Sequence, residues 1–569
     1  MSKQVVIVGA GLSGTTAASY LTQAGVPVKL FEALDRVGGR TYTVPPPENC
    51  SGPVDHGAGY VGSTQTAVKA LLQELNVETH EVPGDGFLYT LSWGGNVYYM
   101  KNVLPDLFKY LAWYESVAIC LAIIDMYWKG MSINTEEPWN SRNADEWDNM
   151  TVQNWIDTKF PGSKFSNART IFQFVCRIPL GVEASETSFL YFLWYFKCGS
   201  GFYDLLFPAQ DRIVVGGTQQ LSEKINATLP KESQAQLKTP VLAMDNNDSS
   251  KVVITPAGSS QIEAERCILA MTPHTRDYIA FNPLLSPMYH QLPQRTPMGT
   301  TIKIHLFYKE KFWLVDKNLN GNATIFDGDS ISQTYDCTAP GGTPCLQAFY
   351  VGKVGRRMAM MDRKAREADA KKTIGKIFGE KANDSIGYSE FIWDNHPWIG
   401  GAPTGTCAPG TLTCYGNAVR APTGRIHFAS TETAYEWTGY MDGAIRAGHR
   451  AASEVLKELG KPEPKPLPPV PVEQMRKDDV DKLKLVVNFT SQSVQKWKIQ
   501  ISNLNVASNA AVAQNATTKE AQQFLATQFQ NSSEELKDYI KENKMQADDL
   551  ITGLKMLQES VSNPNMLAA

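Results

Sequence analysis

The most constraining feature of the sequence is a glycine-rich turn close to its start, between two apolar segments. Residues 5–14 read VVIVGAGLSG, and residues 28–32 read VKLFE. An apolar strand that leads into the spacing G-x-G-x-x-G, followed by a helix, a second strand and an acidic residue, is typical of a dinucleotide-binding βαβ unit. The sequence therefore predicts an α/β fold in which this unit binds an adenine dinucleotide.

Each residue of this motif has its own physical role. Gly9 allows the tight turn, Gly11 lets the backbone approach a pyrophosphate, and Gly14 lets the helix pack on the strand. The N–H groups and the dipole at the start of the helix attract the phosphates. Glu32 is expected to accept hydrogen bonds from ribose hydroxyls. A glycine-rich turn in another kind of α/β domain is the alternative.

The residues after Glu32 distinguish a flavin from a nicotinamide. Residues 33–41 read ALDRVGGRT, which resembles the R-x-G-G-R-x-x-T continuation of the flavin-containing amine oxidase superfamily. The pair Gly38-Gly39 gives a bend with little steric hindrance, and Arg40 offers a planar fork of donors to the pyrophosphate charge. This resemblance implies that the cofactor is FAD.

Composition limits the number of domains and the kinds of partner. A chain of 569 residues is too long for one hydrophobic core, so we expect two interleaved domains and an appendage. The net charge of −4 gives no electrostatic footprint for nucleic acid. The nine cysteines include no C-x-x-C pair and no zinc-like spacing with histidine. We therefore predict no metal site, and reduced, mostly buried thiols in a cytoplasmic protein.

Two features bear on export and on membranes. The first strand begins at residue 5, which leaves no room for a secretory signal before it. The most apolar segment, from Tyr110 to Trp128, contains Glu115 and Asp125, and ionisable groups are costly inside a bilayer. We therefore expect a buried helix there, and no transmembrane segment.

Strand, helix and glycine-turn patterns alternate along the chain with helical, aromatic segments, which indicates that one domain is interrupted by another. We assign residues 1–85, 210–295 and 391–458 to a discontinuous FAD-binding domain. Residues 86–209 and 296–390 are assigned to a substrate-binding domain.

Residues 459–473 form a proline-rich linker, which favours a semi-rigid spacer. Residues 474–569 show apolar spacing typical of helices and are interpreted as a helical C-terminal extension for docking or self-association. A flexible appendage is the alternative.

Further stretches resemble the flavin monoamine oxidases over most of residues 3–458. They are EWDNMT at 146–151, FLWY at 192–195, QDR at 210–212 with GG at 216–217, and TETA at 431–434 with WTGYMDGA at 437–444. The family implies a Rossmann-like FAD-binding domain of the GR2 type interleaved with an α+β substrate domain. It also implies oxidation of an amine to an imine, which hydrolyses to an aldehyde, while dioxygen becomes hydrogen peroxide.

The resemblance also assigns roles to single residues. Lys303 lies in the strand where the family keeps a lysine that holds a water next to the flavin N5. The resemblance assigns to the substrate pocket Tyr440, Trp393, Gln210, Phe349 and Leu180. It assigns to cofactor binding Gly9, Gly11, Gly14, Glu32, Arg36, Gly39, Arg40, Ala58, Gly59, Tyr60, Val241, Glu432, Tyr440 and Met441.

The departures from the family pattern are informative. Animal monoamine oxidases hold FAD through a cysteine that follows a glycine pair, whereas Ala402 follows that pair here. Cys407 is the nearest other thiol, and the matching places it elsewhere, so we expect noncovalent FAD. Pro403 replaces a tyrosine of the family's aromatic cage, and Ser430 stands where glycine is usual. The membrane-anchoring tail helix of the animal enzymes has no counterpart in the sequence.

The favoured reaction removes a hydride equivalent from the carbon beside a neutral primary amine, with O2 as the second substrate. An apolar, water-poor pocket suits this chemistry because it disfavours the ammonium form. A polyamine oxidase would need a carboxylate at the far end of the pocket, and an L-amino-acid oxidase an arginine. Arg177 and Asp211 are charged residues that the sequence does not place. A flavin-stabilised scaffold is the alternative from another class, and the oligomeric state is open, a homo-oligomer included.

Overall fold

A computed structural model describes residues 4–82, 88–100, 107, 110–201, 205, 208–316, 318–328 and 330–470. The strands are β1 (Val5–Val8), β2 (Val28–Phe31), β3 (Thr43–Val44), β4 (Val54–Asp55), β5 (Tyr60–Val61), β6 (Thr79–Glu81), β7 (Leu88–Trp93), β8 (Asn96–Met100), β9 (Arg212–Val214), β10 (Val241–Asp245), β11 (Val252–Pro256), β12 (Ile262–Ala264), β13 (Arg266–Leu269), β14 (Ala280–Asn282), β15 (Thr301–Phe307), β16 (Leu319–Ile325), β17 (Gln333–Asp336), β18 (Cys345–Val351), β19 (Gly387–Ile392) and β20 (Ile426–Phe428). The α-helices are α1 (Leu12–Gln23), α2 (Thr66–Glu74), α3 (Trp113–Met131), α4 (Ala144–Asn149), α5 (Val152–Lys159), α6 (Ser166–Leu180), α7 (Phe189–Cys198), α8 (Gln219–Thr228), α9 (Pro287–Gln291), α10 (Phe312–Val315), α11 (Gly352–Ala359), α12 (Arg363–Phe378), α13 (Thr411–Arg420) and α14 (Met441–Glu458).

The N-terminal motif lies in a parallel sheet of order β2-β1-β13-β20. Val5 pairs with Val28 on one side and with Arg266 on the other. All four residues of β1 are buried, as expected for a parallel strand that is covered on both faces. On one face α1 packs against α14, where a Cβ at Gly448 would lie 2.3 Å from the carbonyl oxygen of Ser13. The predicted βαβ unit is therefore present, and β13 and β20 come from distant parts of the chain.

A larger mixed sheet has the strand order β19-β15-β18-β17-β16-β7-β8. Strand β15 pairs antiparallel with both β18 and β19, and all seven of its residues are buried. Lys303 stands at the middle of β15, opposite Phe349 in β18 and Phe391 in β19. A lysine is thus built into the most buried strand of the second sheet.

A layer of helices packs together beside the larger sheet, and the longest described helix in it is α3. Glu115 and Asp125 of this helix are buried, as predicted. Asp125 accepts hydrogen bonds from Lys129 at 2.8 Å and from the indole N–H of Trp155 at 2.9 Å. Glu115 accepts from the backbone N–H of Asn167 at 3.0 Å. Among the described residues, no helix combines the length and apolar character that crossing a membrane requires.

The proline-rich segment does not project away from the body where the structure describes it. The carbonyl oxygen of Pro468 accepts hydrogen bonds from Thr66 and Arg446, at 2.9 and 3.0 Å. Val470 is buried beside Trp437. Residues 461–470 therefore lie against α2 and α14 where the structure describes them, and their role as a linker stays a prediction. The predicted helical extension at 474–569 lies outside the described residues.

Candidate active site

A cavity of about 500 Å³ runs from the glycine-rich turn to the helical layer. Its walls come from both sheets, so residues far apart in the sequence meet along it. The predicted cofactor residues that line this cavity are Gly9, Gly11, Glu32, Gly39, Arg40, Ala58, Gly59, Tyr60, Val241, Tyr440 and Met441. The predicted catalytic and substrate residues that line it are Lys303, Trp393, Gln210, Phe349 and Tyr440.

The glycine-rich turn leaves a cradle that side chains would fill. Gly9 has φ +99°, and a Cβ there would lie 2.6 Å from the carbonyl oxygen of Ala270. A Cβ at Gly14 would lie 1.9 Å from the carbonyl oxygen of Gly9. Gly11 lines the cavity, and the nearest atom to a Cβ at Gly11 would be the carbonyl oxygen of Gly38, 3.8 Å away. The turn therefore fits a pyrophosphate held by backbone N–H groups at the start of α1.

Glu32 ends β2 and reaches the same cradle. Its carboxylate accepts hydrogen bonds from the backbone N–H groups of Ala10 at 2.6 Å and Leu34 at 2.9 Å. Burial raises the pKa of Glu32, and those backbone donors and Arg36 partly offset the effect. The carboxylate lies at the cavity wall, where the ribose of a dinucleotide is expected.

The two arginines of residues 33–41 donate hydrogen bonds to other groups of the protein. Arg40 donates to both carboxylate oxygens of Glu432, at 2.6 and 3.0 Å, and to the carbonyl oxygen of Pro403 at 2.9 Å. Arg36 lies outside the cavity wall and donates to the carbonyl oxygens of Val37, Gly39 and Thr41. The planar fork expected to reach a pyrophosphate is therefore directed at Glu432, although Arg40 still lines the cavity.

Glu432 fixes the loop that borders the cavity near Pro403. In addition to Arg40, its carboxylate receives the backbone N–H of Gly405 at 3.1 Å and the hydroxyl of Thr404 at 3.2 Å. Burial by itself would raise the pKa of this carboxyl, but Arg40 and the backbone donors bring it down to about 2. Glu432 is thus a buried, charged side chain that holds the loop at Thr404 and Gly405 from behind the cavity wall.

Lys303 is buried and points into the cavity from β15. Its ammonium donates to the carbonyl oxygen of Gly57 at 3.0 Å and lies 5.6 Å from the ring centre of Phe349. Burial lowers the pKa of Lys303, and the nearby carboxylate of Asp55 partly restores it. A buried lysine with a lowered pKa can orient water and exchange a proton in this chamber.

The end of the cavity beyond Lys303 is apolar. Tyr440 lies there against Tyr195, with ring centres 6.2 Å apart, and Trp393 is held by a 3.0 Å hydrogen bond to the carbonyl oxygen of His56. Apolar residues make up most of this chamber, namely Leu107, Ile119, Ile123, Ile171, Phe172, Phe174, Val175, Ile178, Leu205 and Phe326. Among the described residues, no carboxylate or guanidinium lines this end.

Several predicted or proposed residues lie outside the cavity wall. Gly14 packs inside the turn, Arg36 and Glu432 hold loops, and Leu180 is buried at the end of α6. Arg177 is paired with Glu183 at 2.8 Å, and neither Arg177 nor Asp211 lines the cavity. Sequence reasoning did not single out two residues of the site, Tyr195 and Asp55. Tyr195 is one of several aromatic residues in the run 189–196, and Asp55 directly precedes a glycine-rich turn, so neither has a distinguishing local signal.

The described wall of the cavity contains no thiol and no cluster of metal ligands. Ala402 lines the cavity, and the described lining residues include no cysteine. Cys407 is buried elsewhere, with its carbonyl oxygen accepting the N–H of Ser188 at 2.8 Å. In the part of the chain that the structure describes, no group of three or more histidine, cysteine, aspartate or glutamate residues could hold a metal ion.

Residues 12–456 match the model of the flavin containing amine oxidoreductases. The chain is 36% identical over 463 residues to the pig protein "Amine oxidase [flavin-containing] A", covering 80% of this chain and 85% of that one. It is 34% identical over 465 residues to the human protein "Amine oxidase [flavin-containing] B", covering 80% and 86%.

Solved structures of amine oxidases are also similar to this chain. Cyclohexylamine oxidase from Brevibacterium oxydans IH-35A is similar with a TM-score of 0.72 and 29% identity, over 81% of this chain and all of that one. Putrescine oxidase bound to putrescine is similar with a TM-score of 0.73 and 28% identity, over 80% and 99%. The cradle, the buried lysine and these similarities agree: the chain belongs to the family of flavin-containing amine oxidoreductases and is an FAD-dependent amine oxidase.

Proposed function

We propose that this enzyme oxidises primary monoamines with an apolar substituent, using noncovalently bound FAD and releasing an aldehyde and hydrogen peroxide. The apolar chamber beyond Lys303 is the observation that carries the proposal. FAD, when bound, would supply the two-electron acceptor for the amine and the reductant for dioxygen. The glycine-rich cradle, Glu32 and the loop clamped by Glu432 would hold it.

The chamber acts on the charge of the substrate. A protonated amine has no lone pair with which to form an imine, and an apolar environment disfavours the ammonium form. Tyr440, Tyr195 and Phe174 offer ring surfaces to a neutral amine and exclude water from it. The amine is therefore expected to react as its neutral form.

Lys303 is the proposed catalytic residue. Its ammonium lies at the cavity wall with Gly57 as hydrogen-bond acceptor and Asp55 as the nearby opposite charge. It can hold a water there and supply or accept a proton when peroxide forms. Its neighbours Ile302 and Ile304 are fully buried, so this charge is presented to the cavity from an otherwise apolar strand.

Noncovalent binding is supported by the lack of a thiol at the cavity wall where the structure describes it. Ala402 follows the glycine pair at 400–401, and an alanine methyl cannot form a thioether. Location in the cytoplasm stays a prediction. It rests on the expectation of reduced, mostly buried thiols, and six of the nine cysteines are buried.

Relatives of the same family suggest the competing substrates. One similar structure is a cyclohexylamine oxidase, and another is a putrescine oxidase bound to its diamine. A diamine would bring a second ammonium into the chamber, and an amino acid would bring a carboxylate. Among the described residues, the apolar chamber offers the second ammonium no carboxylate and the amino-acid carboxylate no guanidinium, and leaving a charge unpaired in an apolar site is costly.

Three matched substrates test the proposal. Pentylamine, 1,5-diaminopentane and norleucine share one carbon chain and differ by a terminal ammonium or by a carboxylate on the reacting carbon. Anaerobic bleaching of the flavin should be fastest with pentylamine, by roughly tenfold or more, because the described chamber has no carboxylate for a second ammonium and no guanidinium to bind an amino-acid carboxylate. Faster bleaching by the diamine or by norleucine would identify a polyamine or an amino-acid oxidase instead.

A charge placed in the chamber gives a matched pair of variants. Phe326 lines the chamber, so Phe326→Asp should slow flavin bleaching by pentylamine and speed bleaching by the diamine, because the new carboxylate can pair with the second ammonium. Val315→Asp adds the same charge at a residue that is 70% exposed, and should change neither rate. If no amine bleaches flavin-loaded protein, the scaffold interpretation replaces catalysis.

A further inference from the structure

A second cavity, of about 150 Å³, lies behind Lys303. It shares with the larger cavity the wall residues Gly59, Tyr60 and Lys303. The lysine therefore stands between the amine chamber and a separate space. Pro340 and Gly341 line the outer part of this space and are exposed, so the hairpin loop that contains them marks its opening to solvent.

Two cysteines lie side by side in the wall of this second cavity. Strand β17 pairs antiparallel with β18, with Asp336 opposite Leu346, so the next pair is Cys337 and Cys345. The backbone N–H of Cys337 donates to the carbonyl oxygen of Cys345 at 3.0 Å, and its Sγ lies 3.5 Å from the same oxygen. Both residues line the cavity.

The geometry of such a pair suits a disulfide. Directly opposite residues of a hydrogen-bonded antiparallel pair have Cα atoms about 5.5 Å apart, which is within the range found in disulfides. Their side chains leave the same face of the sheet. The Sγ of Cys337 lies 3.5 Å from the carbonyl oxygen of Cys345, so the two side chains are close together in the reduced protein.

The two thiols differ in how accessible they are from the cavity. The ammonium of Lys303 interacts with both thiols across the cavity, while Asp336 opposes ionisation of Cys345. Burial raises the pKa of Cys345, whereas Cys337 is only partly buried. Because Cys337 is the more accessible of the two and both line the cavity, a small oxidant entering the cavity reaches Cys337 first, and Cys345 is placed to resolve it.

We propose that Cys337 and Cys345 are a peroxide-oxidisable dithiol, which closes to a cross-strand disulfide in the cavity behind the lysine. The Cys337 thiolate attacks one oxygen of hydrogen peroxide, the O–O bond breaks, and a sulfenic acid and hydroxide form. The sulfur of Cys345 then attacks the sulfenic sulfur, the S–O bond breaks, and the S–S bond forms. In sum, two thiols and one hydrogen peroxide give one disulfide and two waters. The source of peroxide in the protein rests on the proposed function.

Added hydrogen peroxide tests the dithiol without any amine. The holoenzyme is treated with peroxide, remaining thiols are alkylated, and the peptides are analysed by mass spectrometry. We expect a cross-linked peptide that contains both cysteines, with the loss of two alkylatable thiols per chain. Cys337→Ser should abolish the cross-link, whereas Cys414→Ser, which removes an exposed thiol outside this cavity, should retain it. Alkylatable Cys337 and Cys345 after Cys414 has been oxidised would overturn the proposal.

Turnover with pentylamine in air is the second arm. The same cross-link should accumulate as peroxide is produced, and should be absent when oxygen is excluded. Peroxide production without the cross-link would overturn the dithiol. If pentylamine yields no peroxide, the proposed function fails, and the arm with added peroxide decides on the dithiol alone.

Discussion

Replacing Glu432 by glutamine should destabilise the protein strongly although no volume is lost. The carboxylate is 6% exposed and is bound by Arg40, Gly405 and Thr404. Its pKa falls from the ordinary 4.5 to about 2, which corresponds to roughly 3 kcal/mol of stabilisation by the charged form at neutral pH. Glu432→Gln also leaves Arg40 without its charged partner, and breaking a buried pair in this way costs about 3–5 kcal/mol.

Guanidinium unfolding of the holoenzyme at pH 7, followed by flavin and tryptophan fluorescence, measures this effect. The control is Glu81→Gln, because Glu81 also pairs with an arginine, Arg212, but its side chain is 83% exposed. That variant should unfold close to the wild type, since exposed ion pairs contribute little.

The dependence on pH has a defined sign. Because the pKa of Glu432 is lower in the folded protein than in the unfolded chain, its stabilisation is complete above pH 4.5 and is lost as pH falls towards 2. The difference between wild type and Glu432→Gln should therefore narrow below pH 4.5. A difference under about 1 kcal/mol at pH 7, or one that does not change with pH, would refute the reasoning.

Three further outcomes are expected. Lys303→Met should slow flavin reduction or reoxidation in stopped-flow traces while circular dichroism stays unchanged, and normal rates in both half-reactions would exclude a catalytic role. Gly9→Ala should give colourless protein because its Cβ would meet the carbonyl oxygen of Ala270, whereas Gly25→Ala, also at positive φ but with open space around it, should stay yellow. Acid precipitation should leave the yellow colour in the supernatant, because Ala402 offers no thiol; colour in the pellet would contradict noncovalent binding.

Local signals in the sequence were sufficient for the cofactor cradle. Gly9, Gly11 and Glu32 belong to one βαβ unit, so their spacing alone predicts where they lie. Lys303 was placed by the resemblance and by its position in an apolar strand, and the structure puts it at the cavity wall.

Other parts of the site depend on packing that spacing does not encode. Leu180 is buried next to the chamber without lining it, while Tyr195 lines it from a helix whose residues 189–196 are all buried. Which ring faces the cavity depends on how α7 sits on its neighbours. The pairing of Arg40 with Glu432 joins positions 392 residues apart, and no local pattern predicts it.

The position of β20 at the edge of the nucleotide-binding sheet has a consequence for how the enzyme is made. The glycine-rich turn leaves the ribosome well before β20 and the helix that covers α1, which lie more than 400 residues later. At ordinary translation speeds the nascent chain spends roughly 20–80 s without them. Flavin capture is then a late event of biosynthesis, and chains that stop before α14 should emerge colourless and exposed to degradation.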